Sequence, residues 1–163
     1  MNADWVSSRE TQQPDDGDRS IPMEKQPVKV LFLCYGNSCR SILAEAIARH
    51  YRGKEMDASS AGLFPLGRIT AHTIEALSEA GIPADDLRSK GLHEIRLHEI
   101  DYIVNLTDIK VRDLIPPSFT GKLISYYVRD PYGEGLDAFR KARDELTWLV
   151  KEKLPKLIKE GGQ

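Results

Sequence analysis

A chain of 163 residues, 40% apolar and 29% charged, can bury one core of ordinary size and is too short for two ordinary domains. Its formal charge of −2 supplies no polybasic field, which argues against nucleic acid or an anionic membrane surface as partner. The two cysteines, Cys34 and Cys39, are too close in sequence to staple a secreted fold, and no apolar run is long enough for a leader or a membrane span, so a reducing cytoplasm is the expected compartment.

Residues 1–26 are rich in Asp, Ser, Gln and Pro and have little apolar surface to set against the cost of ordering them, so they are expected to form a flexible tail. Residues 28–34 form an apolar run broken only by Lys29, the pattern of a buried strand. Next, 41–51 carry apolar residues at 42, 43, 46 and 47, one face of a helix that Gly53 stops. A second strand at 56–61 leads into a loop through Pro65 and Gly67. Thr70 then caps a helix through Ile74, Leu77 and Ala80, ended by Gly81 and Pro83. A third strand is expected at 102–106, a helix at about 108–115 stopped by Pro116 and Pro117, and a short fourth strand at 123–127. The last helix begins near Leu136 with an apolar stripe at Phe139, Ala142, Leu146, Leu149, Val150, Leu154 and Leu157, and Pro155 should kink it. This alternation implies an α/β fold, a parallel sheet with helices on both faces, in one domain over 27–158 followed by a short tail at 159–163.

The chemistry concentrates where the first strand turns into the first helix. Residues 34–41 read Cys-Tyr-Gly-Asn-Ser-Cys-Arg-Ser, which brings a thiol, the unpaired amides of a helix N-terminus and a guanidinium together. Such surroundings favour the thiolate form of Cys34, the form that acts as a nucleophile. Gly36 gives the backbone room to bend toward a ligand and Asn37 tolerates left-handed geometry. The N–H groups of Tyr35, Gly36, Asn37, Ser38 and Cys39 can then converge as an anion nest. Arg40 offers a planar, two-toothed donor to phosphoryl oxygens, and Ser41 can cap the helix and donate to Cys34. Singly, each residue also fits a buried Cys followed by an ordinary turn; together, after a buried strand, they fit an oxyanion cradle.

With five residues between Cys34 and Arg40, Cys-x-Gly-Asn-x-Cys-Arg-Ser resembles the phosphate loop of the low-molecular-weight protein tyrosine phosphatases and of the arsenate reductases sharing their fold. Ser60-Ala61-Gly62, Ala80-Gly81-Ile82, Ser89-Lys90, Asp101-Tyr102-Ile103-Val104 and Arg129-Asp130-Pro131-Tyr132 follow in that family's order, so the resemblance covers about 28–154. It implies a three-layer α/β sandwich around a four-stranded parallel sheet of order 2-1-3-4, with no metal or cofactor. It also implies a two-step displacement on a phosphorylated protein. Cys34 attacks phosphorus to give a phosphocysteine, residues 35–40 bind the phosphoryl oxygens, and Asp130 protonates the leaving group before activating water. Ser41 and Ser60 would support the loop, Phe64 and Tyr132 would wall the substrate cleft, and Cys39 would cap an oxidised Cys34 as a disulfide that a thiol reductant reopens.

Certain positions bear on substrate. Ser38 stands where tyrosine-specific members of that family usually carry a bulkier apolar residue; Ser there also suits arsenate reductases, and a small hydroxyl resembles the arginine phosphatase branch. Leu87 stands where eukaryotic members often hold a polar residue behind the loop. Arsenate reductase is the enzymatic alternative, because arsenate mimics phosphate and Arg143-Asp144-Glu145-Leu146 resembles reductase-like members. The thioredoxin-coupled reductases need further cysteines near the third strand, and 105–114 has none, so such an activity would use Cys39 or an external thiol. A phosphoprotein or oxyanion receptor without turnover is the second alternative, although a receptor has no need of Asp130. A metal site from Cys34, Cys39, His93 and His98 is disfavoured: the histidines are five apart, off one helix face, and there is no Cys-x-x-Cys.

Overall fold

The apolar run after Pro27 becomes strand β1 (Val28–Cys34), which lies inside a parallel sheet of order β2-β1-β3-β4, with β2 at Met56–Gly62, β3 at Tyr102–Asn105 and β4 at Lys122–Ser125. This architecture comes from a computed structural model that describes residues 25–161; the tail expected at 1–26 lies, apart from its last two residues, outside the described residues. All of β1 pairs with β2, from Val28 opposite Met56 to Cys34 opposite Gly62, and Val30 to Leu33 pair with Tyr102 to Asn105 on the other side. Over Val30–Leu33 the strand is bonded on both edges and covered on both faces, so that stretch is apolar without polar alternation, while Lys29 lies at the partly exposed start of β1. The sheet order is the one the family resemblance implies.

Four helices stand on one face of the sheet: α1 (Arg40–Arg52), α2 (Ala71–Glu79), α3 (Leu136–Trp148) and α4 (Leu154–Lys159). Val30 and Phe32 of β1 enter a core there with Leu43, Ile47, Leu77, Phe139, Leu146 and Leu154. Leu31 and Leu33 point the other way, into a second core with Ala61, Leu97, Ile103 and Val111. That third layer is built from 3-10 turns at Leu92–Glu94, Leu97–Glu99 and Arg112–Leu114 and from irregular chain, so helices do not cover both faces as the alternation suggested.

The helix expected at 108–115 is reduced to one of those turns, because two side chains satisfy the backbone locally. Asn105 donates to the Ile109 carbonyl at 2.8 Å and accepts from the Thr107 N–H at 3.0 Å, while the Thr107 hydroxyl accepts the Ile109 N–H at 3.1 Å. Asn and Thr offering hydrogen bonds of this kind compete directly with helix formation. At the other end of the chain, α3 passes through a π-helical turn at Leu149–Lys153 into α4, with Pro155 near the junction. Proline has no N–H for the carbonyl of residue 151, and Arg52 of α1 donates to that Lys151 oxygen at 2.5 Å instead. The expected kink is therefore a point where α1 is tied to the C-terminal helix.

Candidate active site

The loop joining β1 to α1 lies at the carboxyl edge of the sheet, beside the central strand from which the chain crosses to both sides, the place where open α/β sheets bind ligands. It turns through Asn37, whose φ of 48° puts it in the left-handed region. Its carbonyls are held outward by the chain after β2: Leu63, Phe64, Leu66 and Thr70 donate their N–H groups to the carbonyls of Cys34, Tyr35, Gly36 and Ser38 at 3.1, 2.8, 2.9 and 3.3 Å. Since a peptide is planar and its N–H is opposed to its C=O, those four bonds turn the N–H groups of Tyr35, Gly36, Asn37 and Cys39 inward. The N-terminus of α1 has no side-chain cap and no acidic residue in its first turn, so its positive end is left for an anion.

Behind the loop lies a buried hydrogen-bonded network. The Lys90 N–H donates to Asn37 Oδ1 at 2.7 Å and so fixes the orientation of that amide. Asn37 Nδ2 then donates to Ser41 Oγ at 2.7 Å and to Ser60 Oγ at 3.0 Å. Ser41 Oγ lies in hydrogen-bond contact with Cys34 Sγ, 2.9 Å away, and Ser60 donates to Glu45 Oε1 at 2.5 Å. The Glu45 carboxylate, 1% exposed, is paired with Arg49 and stands 3.7 Å from the Lys90 ammonium. Burial pulls the proton affinity of Lys90 below the ordinary lysine range, and the charge of Glu45 opposes that fall.

Arg40 is 4% exposed and is aimed by backbone. Its Nη1 donates to the carbonyls of Leu106, just past β3, and of Val128, past β4, at 3.1 and 2.9 Å. Its Nη2 faces Asp130 Oδ2 at 3.3 Å, and its Nε, also buried, has no protein partner. An unpaired buried donor on a charged group is costly, so the Nε edge suits an acceptor. Asp130 is fixed from the other side, because its Oδ1 accepts the Tyr132 N–H at 3.0 Å across Pro131, an Asx-type turn. Cys34, Gly36, Ser38, Cys39, Arg40, Leu66, Asp130 and Tyr132 line one cleft of about 180 Å³.

The remaining sequence candidates divide. Tyr35, Phe64 and Tyr132 are exposed at the mouth, with the Tyr35 and Phe64 rings 5.1 Å apart, and Leu66 joins them. Ser41 lies within the first turn of α1 and does not cap it, its hydroxyl being committed to the network above. Cys39, buried, sits among hydroxyls, and that burial pushes its thiol up. Leu87 packs against the main core, and the loop support that a polar residue there would give comes from Ser60 and the Lys90 N–H. His93 and His98 lie against Glu94 and Glu99, and no cluster of three or more metal-binding side chains occurs among the described residues.

Glu45, Lys90, Thr70 and Thr73 form part of the site's support without having been singled out for it from sequence. For Glu45 a signal exists: it is the one charged residue in the otherwise apolar run 42–48, where burial demands a partner. The others are recognisable only from the contacts they make.

The chain matches, over residues 29–162, the family model described as low molecular weight phosphotyrosine protein phosphatase, and it belongs to that family. Its relatives include the protein-arginine phosphatase of Bacillus subtilis (strain 168), 30% identical over 148 residues that cover 80% of this chain and 97% of the relative. Among solved structures, a low molecular weight protein tyrosine phosphatase from T. tengcongensis superposes with a TM-score of 0.69 at 31% identity, covering 80% of this chain and 99% of the other. An arsenate reductase in the phosphate binding state superposes with a TM-score of 0.70 at 27% identity, covering 79% of this chain and 98% of the other. The enzyme family is thus established, and the chain's relatives include both phosphatases and arsenate reductases.

Proposed function

We propose that this chain hydrolyses a phosphomonoester on a protein side chain, with Cys34 as nucleophile, Arg40 and the amides of residues 35–40 as phosphate ligands, and Asp130 as acid and then base. The observation that carries the reading is the convergence on one cleft of a thiol, a carboxyl and a buried guanidinium with an unpartnered Nε. Ser41 donates to the attacking sulfur. As the S–P bond forms, the bond from phosphorus to the leaving oxygen breaks and that oxygen takes its proton from Asp130. Water then attacks phosphorus, gives a proton to Asp130, and the S–P bond breaks to release phosphate and the thiolate.

The Arg40–Asp130 ion pair accounts for how Asp130 becomes available. Its Oδ2 is held by Arg40 Nη2, the same donor an incoming phosphate takes together with Nε. An anion that takes Nη2 and Nε releases Oδ2 from the ion pair, and Oδ2 then takes a proton from solvent and delivers it to the leaving group. Enzymatic hydrolysis of such esters requires on the order of 20 kcal/mol of barrier lowering, so the inward amides, Arg40 and Asp130 must act together.

The rim of Tyr35, Phe64, Leu66 and Tyr132 suits an aromatic leaving group, which favours phosphotyrosine. Phosphoarginine is the second reading, supported by the small buried Ser38 on the cleft wall and by the arginine phosphatase relative. Arsenate reduction draws less support, because Cys39 is the sole further thiol in the chain. We place the activity in a reducing cytoplasm, with Cys39 protecting Cys34 as a reversible disulfide.

The test compares wild type, Cys34→Ser and Asp130→Asn on para-nitrophenyl phosphate in chelator. Wild type should turn over, Cys34→Ser should be inactive, and Asp130→Asn should lose about 10²- to 10⁴-fold, the usual contribution of a general acid. Undiminished turnover in Cys34→Ser would refute the mechanism, and peptides carrying phosphotyrosine or phosphoarginine assign the substrate.

A further inference from the structure

We propose that Thr70 and Thr73, at the entrance to α2, are positioning residues that set the Ser38–Cys39 peptide for oxyanion binding, through a one-way chain of hydroxyl and thiol protons that begins and ends on Ser38. The proposal rests on the reading of the loop as an oxyanion site. Neither threonine lines the cleft, and neither belongs to the motifs that mark the site in sequence.

The direction of the chain follows from its terminus. Thr73, fully buried, donates from Oγ1 to the Ser38 carbonyl at 2.9 Å, reaching across 35 positions of sequence. A carbonyl only accepts, so Thr73 spends its single proton there. Thr70 Oγ1, 2.8 Å from Thr73 Oγ1, must then be the donor in that pair. With its own proton spent, Thr70 Oγ1 accepts from Cys39 Sγ at 3.6 Å, and the Cys39 sulfur accepts from Ser38 Oγ at 3.6 Å. Each group donates once, and the sequence Ser38 Oγ, Cys39 Sγ, Thr70 Oγ1, Thr73 Oγ1, Ser38 O closes on itself.

Two consequences connect this chain to the site. The Ser38 carbonyl, held outward by Thr73 and by the Thr70 N–H at 3.3 Å, turns the Cys39 N–H toward the bound anion. Cys39 must also keep its proton to serve as a donor, and burial favours that state by pushing its thiol up. Among the described residues, Ser38 has the one loop carbonyl whose donors both come from the α2 entrance. Loss of the Thr73 hydroxyl leaves that peptide on the longer Thr70 bond and takes away the acceptor of the half-buried Thr70 hydroxyl.

Titration of the full-length protein with inorganic phosphate and with vanadate tests this, using Thr73→Val, Thr73→Ala and Thr73→Ser. Thr73→Ser should bind both anions as wild type does, whereas Thr73→Val should bind them about tenfold more weakly, as expected when the buried Ser38 carbonyl loses one of its two donors. On para-nitrophenyl phosphate the same loss should appear as a raised KM. Thr73→Ala carries the same expectation should the valine variant fail to fold. Binding by the folded valine or alanine variant within twofold of wild type would overturn the proposal, as would equal weakening in Thr73→Ser. Anion binding is read without turnover, so a wild type that binds phosphate but hydrolyses nothing removes the hydrolase reading alone, while one that binds no phosphate removes both.

Discussion

Replacing Glu45 with glutamine should weaken a site whose reacting atoms it never touches. Three donors converge on this carboxylate: the Ser60 hydroxyl at 2.5 Å, the Lys90 ammonium at 3.7 Å, and Arg49. Glutamine has one acceptor oxygen and one donor group, so whichever way it lies, a donor faces a donor. Arg49 is 46% exposed and can turn to water, so its pairing adds little; Lys90, 14% exposed, cannot readily do so. The cost then sits at the low end for breaking a buried pair, about 3 kcal/mol. For a chain of this length that lowers the melting temperature by about 6–12 °C.

The deficit should also depend on pH, and its sign is fixed. Glu45 is the group that raises the proton affinity of Lys90 against burial, so without it the folded-state value falls further below 10.5. The unfolded chain then binds more protons than the folded one between that lowered value and 10.5, and stability rises with pH across the interval. The variant should therefore recover part of its deficit as the solution is made alkaline. Thermal unfolding followed by circular dichroism from pH 7 to 10 measures both effects. A melting temperature within about 2 °C of wild type, or a deficit that widens with pH, would refute the reasoning.

Gly62→Ala should cost about 1–3 kcal/mol and much of the activity, because a Cβ there would meet Asn37 N at 2.8 Å and Tyr35 O at 2.9 Å, within the backbone of the loop itself. Urea unfolding and phosphate titration would show it, and a variant as stable and as tight as wild type would contradict the contact. Iodoacetamide at pH 8 should alkylate Cys34 and spare Cys39, whose thiol is pushed above the ordinary 9.0 by burial and so remains protonated. Mass spectrometry finding equal labelling of the two would count against the hydroxyl-bound thiol described for Cys39.

The anion loop was legible because its chemistry is local. A buried strand, a glycine, an asparagine that accepts φ of 48° and an arginine on the first helical turn stand within eight residues, and their spacing alone brings them together. The placing of Asp130 on the same cleft was expected only through the family's Asp-Pro-Tyr order. Where polar side chains compete with the backbone, the reading failed: Asn105 and Thr107 replace the expected helix at 108–115 with a 3-10 turn. The polar support was largely hidden, since nothing in the spacing of Thr73 and Lys90 shows that they meet the loop, and Glu45, marked by its lone charge, reaches it only through Ser60.

The sequence by itself determined the strand and helix alternation, the apolar central strand and the thiol-bearing turn, because each follows from periodicity or from residues adjacent in the chain. Tertiary structure alone decided that the helices gather on one face and that Arg40 is aimed by the carbonyls of residues 106 and 128, leaving Nε unpartnered. It also decided that the outward carbonyls of the loop are held by residues 63–73. The physical reason is that hydrogen-bond partners are chosen by proximity after the sheet has closed, and proximity between distant residues has no local signature.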